Sequence, residues 1–224
     1  MLKRHLLSEF IGTLLLLATV VGSGIMGERL AGGNTAIALL ANTFATACGL
    51  YVLISMLAPV SGAHFNPLVS AMAWADGALA GQAALAFIAA QVAGGVLGVW
   101  LAHVMFELPV FVLGIKPRTG LAQWVSELVA TAGLVLTIRL FVAYRSAQVA
   151  AGVACYIGAA YWFTASTSFA NPAVTIARSL TPTFAGIAPA DAPGFIAAQC
   201  VGAGVGYVLA RALEPPAPPV AGRS

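Results

Sequence analysis

Two short stretches constrain this chain more than anything else in it. S-G-A-H-F-N-P-L-V-S runs through Asn66-Pro67, and T-S-F-A-N-P-A-V-T-I-A-R runs through Asn171-Pro172. Each follows a long apolar run, and each is too brief to cross a bilayer, which takes about 20 apolar residues of helix. Pro at the first helical position has no backbone N–H to leave unpaired. Asn just ahead of it can accept one of the orphan N–H groups, so Asn-Pro is a helix-start signal. The pattern predicts two half-helices, over about 66–75 and 171–180, begun at depth inside a membrane protein.

The bilayer follows from composition. Of 224 residues, 60% are hydrophobic and 8% charged, against roughly a quarter charged in soluble domains. Apolar spans are predicted at 6–26, 35–57, 80–106, 121–142, 148–163 and 195–213, so six full spans and two halves make one domain, 1–213. The Pro-rich remainder, 214–224, has no periodicity and is expected to be mobile. The net charge of +3 is small and dispersed, which offers nucleic acid nothing. Cys48, Cys155 and Cys200 sit in apolar runs without C-x-x-C spacing and read as small buried hydrophobes. The basic start before Leu6 imitates a signal peptide, but Ser8-Glu9 recurs deep inside the chain, so a retained first helix is expected.

The chain repeats itself. S-E-F-I-G-T from Ser8 matches S-E-L-V-A-T from Ser126, and A-A-Q-V-A-G from Ala89 matches A-A-Q-C-V-G from Ala197. Repeat one covers about 6–106 and repeat two about 121–213. An odd number of spans in each half turns the second upside down relative to the first, the inverted arrangement of many transport proteins. With both termini cytoplasmic in the cell's inner membrane, Lys3, Arg4, Arg145, Arg211 and Arg223 fall inside, against Arg29, Lys116 and Arg118 outside. Gly94, Gly95, Gly98, Gly202, Gly204 and Gly206 are read as small residues that let helices approach closely in lipid.

Extended backbone at membrane depth must line water or be buried in protein. That condition falls on 61–65 and 167–170, the stretches leading into the half-helices. Inverted symmetry brings Asn66 and Asn171 face to face, with two positive helix ends aimed at one point where cations are repelled. The amides can donate to a passing oxygen and the unwound carbonyls can accept, which suits a channel for neutral solutes that carry hydroxyls. Glu9 and Glu127 are buried carboxylates at equivalent places in the repeat and need partners. His64 has no second ligand at a metal-like spacing.

The paired segments, N-P-A at Asn171 and N-P-L with Leu68 at Asn66, resemble the major intrinsic protein family, the aquaporins and glycerol channels, over about 6–212. The resemblance implies an all-α membrane fold of six transmembrane helices plus two re-entrant half-helices, a homotetramer, and no cofactor or metal. It gives the pore motifs as Asn66, Pro67, Leu68, Asn171, Pro172 and Ala173, and a loop-bracing role to Glu9, Glu127 and His64. In that family the narrowest point lies on the extracellular side and carries an Arg three residues after the second Asn. Aligned on the Asn-Pro anchors, the positions of that filter are Thr46, Ala159, Ser168 and Val174. Val174 stands where the Arg would be.

None of the four is aromatic, His or Arg, so a wide pore is expected, with cation exclusion resting on the helix ends. Arg178 lies about 40° around the half-helix from Val174 and about 6 Å along it, which suggests the outer vestibule. The run S-F-A-N-P-A-V-T-I-A-R-S-L-T is similar to a bacterial subgroup that accompanies arsenic-resistance functions, which implies neutral metalloid acids such as arsenous acid among the solutes.

The reading is a passive channel for small uncharged solutes, glycerol and water first, and not an enzyme, because no loop holds a nucleophile, a base and an orienting group together. Trp124 reads as an interface anchor. A strict water channel is the alternative and would need Tyr161 or Trp162 turned inward to close the neck. A coupled secondary transporter is the other, and it would need more intramembrane ionisable groups than Glu9, Glu127 and Arg139.

Overall fold

With lipid as solvent a backbone must satisfy its own polar groups, so apolar runs fold as helices. The computed structural model describes residues 1–215, and 216–224 of the Pro-rich tail lie outside the described residues. Within them the helices are α1 (Leu2–Leu30), α2 (Thr35–Ser61), α3 (Pro67–Ala75), α4 (Gly81–Met105), α5 (Leu121–Tyr144), α6 (Val149–Phe163), α7 (Pro172–Arg178) and α8 (Ala192–Leu213). Five of these, α1, α2, α4, α5 and α8 with the turn before it, are long and apolar enough to cross a membrane. The sixth expected span, α6, has 15 residues and is preceded by a 3-10 turn at Ser146–Gln148. The two half-helices are shorter still, with 9 residues in α3 and 7 in α7.

Helix ends are set locally. Asn34 caps α2 by accepting from the Ala36 and Ile37 N–H groups. Gly62 ends α2 at φ 92°, a left-handed conformation that costs a residue with a Cβ about 1 kcal/mol or more. The chain is thereby released into the extended stretch before Asn66.

Packing repeats in the two halves. Against α1, Gly94 and Gly98 of α4 leave room for the Phe10 and Leu14 carbonyls, which a methyl group would overlap. Gly202 and Gly206 of α8 do the same for Leu128 and Ala132 of α5. Helices this close interlock by van der Waals contact, the force available when both lipid and side chains are apolar. Gly204 is exposed and meets nothing within 4 Å among the described residues. The halves are joined chiefly by α2 against α6 and by α4 against α7, with α3 also meeting α7.

The cysteines are not core residues: Cys48, Cys155 and Cys200 are exposed. A surface facing lipid is as apolar as an interior, so an apolar run does not say which side a cysteine takes. Outside the helices, the segment between the halves crosses the outer end of α7, with the Gly114 N–H on the Ser179 carbonyl at 2.7 Å and the Ala188 N–H on the Lys116 carbonyl at 2.8 Å.

Candidate functional site

The centre of the molecule is built by two caps. Asn66 Oδ1 accepts from the Leu68 N–H at 3.0 Å, and Asn171 Oδ1 accepts from Ala173 at 2.9 Å and Val174 at 3.3 Å. With each oxygen committed to its own helix, each amide nitrogen faces the opposite half. Asn66 Nδ2 donates to the Ala170 carbonyl at 2.8 Å, and Asn171 Nδ2 donates to the Phe65 carbonyl at 2.8 Å. The exchange is reciprocal, since Phe65 precedes Asn66 and Ala170 precedes Asn171. One amide N–H of each Asn remains, and both side chains line a cavity of about 520 Å³.

The stretches before the caps hold left-handed backbone at non-glycine residues: Ala63 (φ 51°) and Phe65 (φ 49°) in one half, Thr167 (62°), Ser168 (51°) and Ala170 (49°) in the other. Such residues cost about 1 kcal/mol or more each and persist only when their surroundings enforce them. Two carboxylates do so. Glu9 accepts from the His64 N–H at 3.0 Å and the Phe65 N–H at 2.7 Å, with Ser61 and Gln91 as further donors. Glu127 accepts from the Phe169 and Ala170 N–H groups, both at 2.9 Å, and from Gln199 at 2.6 Å. These donors satisfy buried carboxyl oxygens that would be costly to leave unpaired. His64 bonds Ser70 Oγ through Nδ1 at 3.0 Å, rests on Phe87, and lines the cavity.

The cavity is also lined by Thr46, Ser168 and Val174. Ala159 is not among them; it is exposed on the outside of the bundle. The residues of α6 that line the cavity are Val149, Val153, Ile157 and Tyr161, a spacing of four that marks one helical face, and Ala159 falls on the opposite face. The α6 residue beside Thr46 is Tyr161, 3% exposed, whose hydroxyl donates to Thr46 Oγ1 at 3.3 Å. An aligned count from Asn171 does not fix how α6 is rotated, and its rotation turns Ala159 away from the cavity. Trp162 points outward and is 49% exposed. Ser168 Oγ is buried and has no hydrogen-bond partner among the described residues.

Beyond the neck stands a group of cations. Arg178 is 2% exposed; its Nε donates to the Ala185 carbonyl and its guanidinium carbon lies 3.4 Å from the Phe169 ring centre. Arg118, which sequence reading did not single out, enters from the segment between the halves. Its Nε donates to Gly186 and its Nη1 to Ser166, both at 2.9 Å. Burial lowers its pKa to about 10, against the opposing pull of Glu127 and Tyr161, so it stays charged at neutral pH. No periodicity or motif marks an Arg in an irregular segment. Lys116, Arg118 and Arg178 line a second cavity of about 460 Å³.

Two comparisons carry this geometry to a family. The model of the family described as "Major intrinsic protein" matches residues 1–161. The chain is also 51% identical over 219 residues to "Aquaglyceroporin AqpS" of Rhizobium meliloti (strain 1021), covering 98% of this chain and 94% of that protein. The chain belongs to the major intrinsic protein family. It is accordingly a multi-pass membrane channel and not an enzyme. Within the family, "Probable aquaporin TIP1-1" of Oryza sativa is 34% identical over 59% of this chain and 54% of its own length, so the chain spans about half of that plant relative. The solved aquaglyceroporin of Plasmodium falciparum superposes with a TM-score of 0.68 over 92% of this chain and 94% of that one, at 19% identity. That likeness bears on the fold alone.

Proposed function

We propose that this major intrinsic protein is a passive channel for small uncharged solutes that carry hydroxyl groups: glycerol and water, with neutral metalloid acids such as arsenous acid as further solutes. It works as a homotetramer in a bacterial inner membrane, with both termini cytoplasmic. The observation that carries the reading is the neck. Thr46, Tyr161 and Ser168 bring three hydroxyls to the same cavity lining as Val174, with the Tyr161 hydroxyl on Thr46 Oγ1 at 3.3 Å. A hydroxyl donates and accepts, so the ring can exchange hydrogen bonds with a solute hydroxyl in either sense. A bare ion finds no compensation there for its lost hydration.

Further in, the remaining N–H groups of Asn66 and Asn171 donate to a passing oxygen, and both half-helix N-termini add positive potential at that point. The solute therefore exchanges one set of hydrogen bonds for the next along a tube otherwise lined by Leu16, Val20, Leu50 and Ile54. The name of the Rhizobium relative, an aquaglyceroporin, supports glycerol among the solutes.

A second reading has one observation in its favour. Tyr161 does turn inward and bonds Thr46, which narrows the section and suits water alone. Stopped-flow light scattering on proteoliposomes separates the two. The proposal expects glycerol to re-swell the vesicles at a rate linear in its concentration and indifferent to an imposed proton gradient. Water flux without glycerol flux would favour the strict water channel, and saturable, gradient-driven uptake would indicate a transporter.

A further inference from the structure

Val174 leaves the neck without a cation of its own, yet a cation stands next to it. Of all the residues that line the 520 Å³ cavity and the 460 Å³ cavity outside it, Arg178 alone is common to both. It occupies the junction of lumen and vestibule. Its side chain is 2% exposed and clamped, with Nε on the Ala185 carbonyl and its flat face on Phe169. That clamp uses one of five N–H donors. Neither terminal nitrogen has a hydrogen-bond partner among the described residues, and the only ion pairs there belong to Arg139. The guanidinium is thus held rigidly, with its charge unneutralised by direct contact and its remaining donors turned to the space a solute crosses.

Building on the channel reading above, we propose that Arg178 is the specificity-determining cation of this pore: it repels cations at the junction of vestibule and lumen and donates hydrogen bonds to the oxygens of entering neutral solutes. Its place one helical turn beyond Val174 explains how the pore tolerates an aliphatic side chain at the neck. The charge barrier has moved outward, which leaves the neck to hydroxyls. Lys116 and Arg118, lining the same vestibule, add to the repulsion from its wall, and Arg178 is the member of the group that also borders the lumen.

The test reads cation leak and glycerol flux separately. Proteoliposomes carrying wild type, Arg178→Gln or Arg178→Lys are loaded with a potassium-sensitive or proton-sensitive dye and given an ion gradient under a clamped potential. Glycerol re-swelling is measured on the same batches. Arg178→Gln, which can still donate to the Ala185 carbonyl, is expected to raise cation leak by about tenfold or more while continuing to pass glycerol. Arg178→Lys keeps the charge and is expected to exclude cations as wild type does. Should Arg178→Gln fail to yield monodisperse protein, Arg178→His serves in its place, with leak measured at about pH 5 and pH 8. The proposal expects leak in that variant at the higher pH. A folded neutral variant as tight to cations as wild type overturns it. If wild type passes no glycerol, the solute reading fails instead, and the leak measurement still decides the role of Arg178.

Discussion

At the scale of single residues the pore depends on side chains whose atoms are already spoken for. Asn66 and Asn171 are directional because capping takes their oxygens, and Ser168 is available because nothing takes its Oγ. In the proposed channel Tyr161, which lines the cavity and bonds Thr46, limits the width of the neck. Replacing it with Ala removes the ring and the bond to Thr46 and enlarges the neck where glycerol is tightest. Tyr161→Ala is expected to raise glycerol permeability severalfold while water permeability changes little, read as the ratio of the two rates in one vesicle preparation. A fall in both would mean that the ring supports the neck instead of narrowing it. The Asn-Pro caps and the paired glutamates were legible in the sequence because a cap and a buried charge each have one physical solution. Tyr161 was legible only as one of a pair with Trp162, because the lining face of α6 depends on how that helix is rotated, and an aligned count cannot convey rotation.

At the scale of elements, each half is a close-packed helix pair that carries one half-helix on a carboxylate bracket. The glycine spacing announces the pairs, and the Ser-Glu and Ala-Gln motifs announce the brackets. What the sequence could not tell apart was the inside of a helix from its lipid face, since both are apolar; the three exposed cysteines were misread for that reason. Close approach gives a sharp contrast between a buried glycine and an exposed one. Gly98→Leu drives a side chain into the Leu14 carbonyl, and overpacking of this kind costs about 1–3 kcal/mol or more. Gly204→Ala adds a methyl group to open space and is expected to stay within about 0.5 kcal/mol of wild type. Thermal unfolding in detergent, followed by the loss of monodisperse protein, distinguishes them. Equal losses in both would remove the role given to the α1–α4 contact.

At the scale of the whole molecule the two mouths of the pore differ in charge. Lys116, Arg118 and Arg178 surround the outer one. At the other, Arg139 of α5 is bound by Asp76 at the end of α3 and by Glu214 at the end of α8, and Tyr207 also donates to Asp76. All three ionised groups line the cavity, so elements of both halves are tied together at its rim. Burial pushes the Asp76 carboxyl up, but the hydrogen bonds from Tyr207 and Arg139 and the charges of Arg139 and Arg211 outweigh it and hold the group below the usual aspartate range. A carboxyl lowered on folding stabilises the protein above its unfolded value of ~3.9 and loses that contribution as pH falls through the lowered one. Wild type is therefore expected to exceed Asp76→Asn in Tm at pH 7, with the gap closing only as pH falls below about 4. A gap unchanged at about pH 3 would show that the ion pair is not its source.

The channel reading rests on a neck that carries hydroxyls and Val174 with no cation among them, and Val174→Arg in proteoliposomes tests it most directly, with water, glycerol and arsenous acid gradients followed by stopped-flow light scattering beside wild type. Val174 is 6% exposed and lines the cavity, so an Arg there brings bulk and charge into the neck itself. The account predicts that glycerol and arsenous acid permeability fall by about tenfold or more, a barrier change of ~1.4 kcal/mol, while water still passes. A variant that conducts all three as wild type does would contradict the claim and place the filter elsewhere.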